Sequence, residues 1–325
     1  MRFDIHFILF LIFYTPLSKA EIYKWVDEQG VTHYSERQSQ TQDAQEISEK
    51  LKKNGNVVKF NVQGDIEFYK PPQKSKPALV TVDIQLIDYQ LASGKAKEID
   101  EKVGAIYQTY SRLFGWSPNP KRAINIKIFG NYAAFEKYQK EVIGSKHAIN
   151  RSHYISSRRE VLMLGTEFEN NTMHTLLHES SHAILHMELN RIPKWINEGL
   201  AEVFEYIQSN GNDITIGYNR GWLEIIKQKQ QEGSLRSFEE NLMVSDLTWH
   251  NESARVERSY YNIAWSMMRF MLSTQEGITA VRHSMQTCKK IVCWQSAQIV
   301  EQFAQSYPGG MQQIDKDWRR WIEEF

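Results

Sequence analysis

The chain has 325 residues, 41% hydrophobic and 24% charged, which are the proportions of a folded protein and exclude a disordered tail, a collagen-like fibre or a multi-span membrane protein. Lys+Arg and Asp+Glu both total 39, so neither the basic excess of a nucleic-acid binder nor an acidic tail is present. Two cysteines are too few for a disulfide-built scaffold, and the length fits two domains or one large domain with an appendage.

Ile5 to Tyr14 form one apolar run, broken by His6 and followed by small residues at Ser18 and Ala20. A bilayer span needs about twenty apolar residues. The run is therefore read as the core of a signal peptide over residues 1–20, with a buried N-terminal strand as the competing reading. After cleavage no integral membrane span is expected, and the mature protein is periplasmic or secreted. Export places Cys288 and Cys293, in the string TCKKIVC, in an oxidising compartment. A local disulfide between them is expected; two reduced, buried thiols are the alternative, because bond geometry cannot be read from spacing.

Residues 21–35 alternate aromatic and polar side chains on either side of Asp27-Glu28-Gln29-Gly30, the pattern of a β-hairpin. Residues 36–56 are polar and read as partly helical, residues 57–69 alternate, and Lys70 to Pro77 are rich in proline and lysine. We divide the chain into a small hairpin module (21–60), a linker (61–77) and a larger domain (78–325). The strings Ile22-Tyr23-Lys24-Trp25-Val26-Asp27 and Val31-Thr32-His33-Tyr34-Ser35 resemble the small domain of unknown function at the mature N-terminus of many Gram-negative envelope proteins. That resemblance implies a periplasmic address more than an activity, and residues 21–60 are a candidate surface for an envelope partner. The aromatics Tyr23, Trp25 and Tyr34 read as a minimal core.

From Ala78 strands and helices alternate. Strands are predicted at Val80–Leu86 and Ile124–Phe129, helices at Ala96–Phe114 and Tyr132–Val142, and a strand or hairpin within His153–Leu164. The fold class is α+β: a small mixed or antiparallel sheet packed on helices, a central motif helix, a mostly helical C-terminal half from Gly221, and the separate hairpin module.

The chemistry lies between His174 and Glu202. His178-Glu179-Ser180-Ser181-His182 is an HExxH motif, and residues four apart on a helix share a face, so both imidazoles can address one metal ion. At this chain's His and Glu frequencies the motif should arise by chance roughly 0.03 times. The flanking Leu176, Leu177, Ala183, Ile184 and Leu185 give the segment a buried face, Asn170 or Asn171 is an N-cap candidate, and Pro193 bars continuation. A catalytic zinc needs a third protein ligand and an open position. The next helix, from Pro193, carries Glu198 off its apolar stripe and Glu202 one turn further on the same face. An antiparallel helix pair would bring Glu198 to the histidines, with Gly199 permitting close approach of the two helices. His174 and His186 extend the histidine row as ordinary half-buried residues or as outer-sphere hydrogen-bonding groups.

The motif together with Trp195-Ile196-Asn197-Glu198-Gly199-Leu200-Ala201-Glu202 resembles the gluzincin metallopeptidases of the thermolysin–aminopeptidase clan. The resemblance implies one zinc ion on His178, His182 and Glu198, with Glu202 orienting a ligand histidine and Glu179 acting as general base. The spacing between His182 and Glu198 is shorter than in thermolysin, which leaves less room for loops around the cleft. It also implies an oxyanion donor on a later helix, for which Tyr261 is preferred over Tyr260, although a core role suits either equally. Residues near Tyr154–Ser157 could offer a sheet edge to an extended peptide, or be an interior strand. The expectation is an exported zinc-dependent peptidase that hydrolyses peptide bonds with metal-activated water, acts on a peptide or protein substrate, and does not bind nucleic acid. The rival is a catalytically silent binding or assembly protein of the cell envelope on the same fold.

Overall fold

The computed structural model describes short strands within the first 68 residues and residues 80–325, except 117–122, 145–150, 167–168, 190–191, 211–212, 246–247, 250–258 and 291–295. Residues 1–20, read above as a signal peptide, and Cys293 lie outside the described residues, and with Cys293 so does the expected disulfide. Cys288 is buried. The chain divides into two compact units, residues 1–57 and 58–325.

In the first unit β1 (Tyr23–Val26) pairs antiparallel with β2 (Thr32–Ser35), in the register Tyr23 to Ser35 and Val26 to Thr32. This is the predicted hairpin. A two-residue strand, β3 (Gln45–Glu46), adds to the other side of β1 where partly helical sequence was expected.

The second unit begins earlier than the sequence suggested. β4 (Val58–Phe60) and β5 (Ile66–Phe68) pair with each other, and β5 pairs with a strand far along the chain, β11 (Ile214–Ile216). Residues assigned to the hairpin module and the linker thus complete an antiparallel sheet of the larger unit, ordered β10-β11-β5-β4, where β10 is Ile207–Ser209. The reason is backbone satisfaction: β11 has a second edge, and strands in the 58–68 stretch supply its hydrogen-bonding partners.

A four-stranded mixed sheet carries the rest of the N-terminal half. Its order is β6 (Thr81–Ile87), β7 (Ala123–Phe129), β9 (Glu160–Leu164) and β8 (Ser152–Ile155), the first three parallel and β8 antiparallel at the edge. The predicted segment His153–Leu164 is therefore a hairpin, and β8 is an edge strand, not an interior one. Alternation along β7 and β9 separates two faces. Ile124, Ile126, Ile128, Val161 and Met163 join the main core, while Phe129 and Leu162 pack with Phe135 of helix α2 (Tyr132–Ile143).

On the main-core face lies α1 (Lys95–Phe114), which buries Ile99, Val103, Ile106, Tyr107 and Tyr110. Gly115 ends it in the left-handed region (φ 71°), donating its N–H to the Ser111 carbonyl, a role glycine fills without steric cost. The motif helix α3 (Glu169–Glu188) follows the sheet. It already includes Asn170 and Asn171, so neither is its N-cap. Then come α4 (Lys194–Phe204) and a C-terminal part whose elements, among the described residues, are helices: α5 (Arg220–Gln231), α6 (Phe238–Leu242), α7 (Ser259–Leu272), α8 (Gln275–Lys290), α9 (Ser296–Ser306) and α10 (Gly310–Glu324). Fully buried Arg269 on α7 donates to the carbonyls of Ile216 (3.1 Å) and Gly217 (2.7 Å), joining this helical layer to the β11 end.

Candidate metal centre

On α3 the apolar residues Leu176, Leu177, Ala183, Ile184 and Leu185 are buried, as amphipathic spacing requires, but so are His178, Glu179 and His182. Burying three ionisable groups costs free energy unless each finds partners. The partners of the two histidines come from α4 and the turn after it. Pro193 precedes the helix in extended conformation, and its carbonyl accepts the Ile196 and Asn197 amides. Glu198, Glu202 and Glu205 are spaced i, i+4 and i+7, so they form one stripe. Glu205, just past the last helical residue, keeps helical geometry (φ −53°, ψ −29°) and so continues that stripe.

The two stripes run antiparallel. His182 faces Asn197 and Glu198, His178 faces Glu198, Glu202 and Glu205, and the His174 Nδ1 lies 3.0 Å from the Glu205 carbonyl oxygen. Three atoms converge: His178 Nε2 and His182 Nε2 are 3.1 Å apart, and Glu198 Oε2 is 3.4 Å and 3.5 Å from them. Tetrahedral zinc with bonds of about 2.0–2.1 Å separates its ligand atoms by roughly 3.3 Å. The remaining ring nitrogens face hydrogen-bond acceptors, His178 Nδ1 at 2.9 Å from Glu205 Oε1 and His182 Nδ1 at 3.0 Å from Asn197 Oδ1. With Nδ1 protonated, each Nε2 presents a lone pair to the shared point. The donor set, two imidazoles and a carboxylate, therefore fits a zinc ion.

Electrostatics agree with that crowding. Burial alone would lower the His178 pKa, but Glu202, Glu198 and Glu205 hold it well above the ordinary imidazole value. Burial alone would raise Glu198, yet His182 and His178 hold it well below the usual carboxylate range. A second grouping able to hold a cation, His178, Glu202 and Glu205, shares the same imidazole.

Glu179 points to the sheet edge, where Ser152 Oγ of β8 donates to Glu179 Oε1 at 2.8 Å. Two residues along the same strand face, the Tyr154 ring stacks on His186 at 5.7 Å. Behind α3, Ser181 and Tyr110 share a buried hydroxyl–hydroxyl contact of 2.6 Å that fixes the helix to α1.

One expectation changes. Gly199 does not face the histidine helix: a Cβ there would meet the Ala264 carbonyl oxygen at 2.5 Å and Met268 Cγ at 2.6 Å, so its close approach is to α7. Tyr261, near the start of α7, lies edge-on to Trp249 at 5.5 Å. Sequence reasoning missed Glu205, Asn197 and Ser152. The i+7 continuation from Glu198 was a readable signal for Glu205; Ser152, 27 residues before Glu179, offered none.

Residues 9–55 match a family described as a domain of unknown function (DUF4124), and residues 172–290 match one described as a protein of unknown function (DUF1570). The first lies over the hairpin; the second spans both site helices. No curated protein matches the chain. Among the described residues no helix is long and apolar enough to cross a membrane.

Proposed function

We propose that the protein is an exported zinc-dependent peptidase of gluzincin type. The observation that carries this reading is the convergence of His178 Nε2, His182 Nε2 and Glu198 Oε2 within 3.5 Å of one another, from two helices, beside a buried Glu179. Bound zinc would supply Lewis acidity, polarising the scissile carbonyl and lowering the pKa of water toward neutrality.

The chain's own groups do the rest. Glu179, with Oε1 held by Ser152, takes a proton from the attacking water and returns it to the leaving amine. The outer edge of β8, the last strand of its sheet, offers main-chain hydrogen bonds to an extended peptide running past Glu179. Tyr261 is the proposed donor to the developing oxyanion, and Glu202 adds negative charge behind His178. The apolar run at Ile5–Tyr14 and the resemblance of the hairpin strings support a periplasmic or secreted location for this activity, with the module available to an envelope partner.

The test is metal analysis of the mature protein with a peptide-library digest, with and without a chelator. One zinc per chain and chelator-sensitive cleavage are expected. Glu179→Gln should keep the zinc and lose about 10²–10⁴-fold in rate. Full zinc occupancy with no cleavage of any peptide would favour the binding-protein alternative.

A further inference from the structure

The family resemblance puts the task of orienting a ligand histidine on the acid four residues after the third ligand, here Glu202. The geometry points to Glu205 instead, as the carboxylate that positions His178 for the ion, with His174 fixing Glu205 in turn. The inference rests on the proposed metal site.

Glu205 Oε1 lies 2.9 Å from His178 Nδ1, a hydrogen-bonding distance, whereas Glu202 Oε1 stands at 3.6 Å, beyond one. Both carboxylates are shielded from water, at 11% and 0% side-chain exposure, so the shorter contact is not weakened by solvent. The backbone at Glu205 is held as well. Its N–H donates to the Ala201 carbonyl at 3.0 Å, and its own carbonyl oxygen lies 3.0 Å from His174 Nδ1. Next to it the Tyr206 ring packs on the His174 ring at 4.6 Å, and the Tyr206 hydroxyl accepts from Asn219 Nδ2 at 3.0 Å.

The chain of contacts runs from His174 to the Glu205 main chain, from the Glu205 side chain to His178 Nδ1, and so to the orientation of His178 Nε2. It makes the two ligand histidines unequal. His182 is oriented by the neutral Asn197 amide oxygen, whereas His178 leans on an anion that strengthens its imidazole as a donor. His174 thereby gains a task without touching the ion.

The experiment is zinc titration of the full mature chain against a competing chelator, for wild type, Glu205→Ala, Glu205→Gln, Glu202→Gln and His174→Gln, alongside thermal unfolding of each metal-free protein. Glu205→Ala should weaken zinc binding roughly 10–100-fold. Glu205→Gln, which keeps an acceptor but no charge, should lose less and retain wild-type unfolding when metal-free. Glu202→Gln should fall short of Glu205→Ala, and His174→Gln should lose part of the Glu205 effect. Wild-type affinity in both Glu205 variants, or a larger loss in Glu202→Gln than in Glu205→Ala, overturns the assignment. A wild-type chain that takes up no zinc removes the metal reading and this inference together, so the two failures are told apart.

Discussion

Two buried polar clusters flank the same sheet and neutralise their carboxylates in different ways. On the α2 face, Glu160 is 4% exposed, lies 3.0 Å from Lys127 Nζ and 3.8 Å from Arg158 Nε, and accepts the Tyr138 hydroxyl at 2.8 Å. One anion there meets permanently cationic groups, and the cluster is closed. Between α3 and α4, three carboxylates lie within 3.6 Å of His178, and the side chains facing them are imidazoles, with no lysine or arginine among these contacts. Buried charge requires compensation. The difference teaches that the carboxylate of the α2 cluster is matched by cationic side chains, while the helix pair gathers several carboxylates around one imidazole, in groupings able to hold a cation.

Substitutions can break that contrast. The largest effect is expected from Glu198→Ala, which should weaken zinc binding by more than the roughly 10–100-fold that orienting groups contribute. A chelator-competition titration reads it, and unchanged affinity would remove Glu198 from the ligands. Next is Glu160→Ala, which leaves the half-buried Lys127 without its counter-anion and should cost about 3 kcal/mol in urea unfolding while zinc stoichiometry stays at the wild-type value. If zinc were lost as well, the two clusters would not be independent.

Gly199→Ala probes the support behind the ligand helix. The added methyl meets α7 at 2.5 Å, so overpacking of about 1–3 kcal/mol should outweigh the roughly 1 kcal/mol gain in helix propensity, read as a lower Tm. A raised Tm would show that α7 can yield. The smallest effect is expected at a half-exposed pairing on α1. Lys102 and Lys95 hold the Glu98 carboxyl below its usual value of 4.5. A depressed folded pKa stabilises above the unfolded value, so Glu98→Gln should cost a few tenths of a kcal/mol at neutral pH. That cost should vanish as pH falls through the folded value, which paired urea titrations at pH 7 and pH 3 would detect.

Much of the larger unit was legible because its signals are local. Period-3.6 spacing placed α1 and α2 within a residue or so of their ends, and alternation placed β6 and β7. The linker was misjudged because the partner of β5 lies about 150 residues away, at Ile214–Ile216, and no local pattern announces it. Gly199 was read correctly as a site of close approach but assigned to the wrong neighbour, since glycine marks proximity without naming what is near.

The sequence by itself determined that His178, Glu179 and His182 share one helix and that Glu198 and Glu202 share a stripe on the next, because helical spacing is a property of a dozen consecutive residues. The tertiary structure alone decided that Glu205 stands closer than Glu202 to His178, that Ser152 holds Glu179, and that β8 is an edge. Those facts depend on how far one helix slides along another and on which strand ends the sheet, and both are set by packing of the whole core.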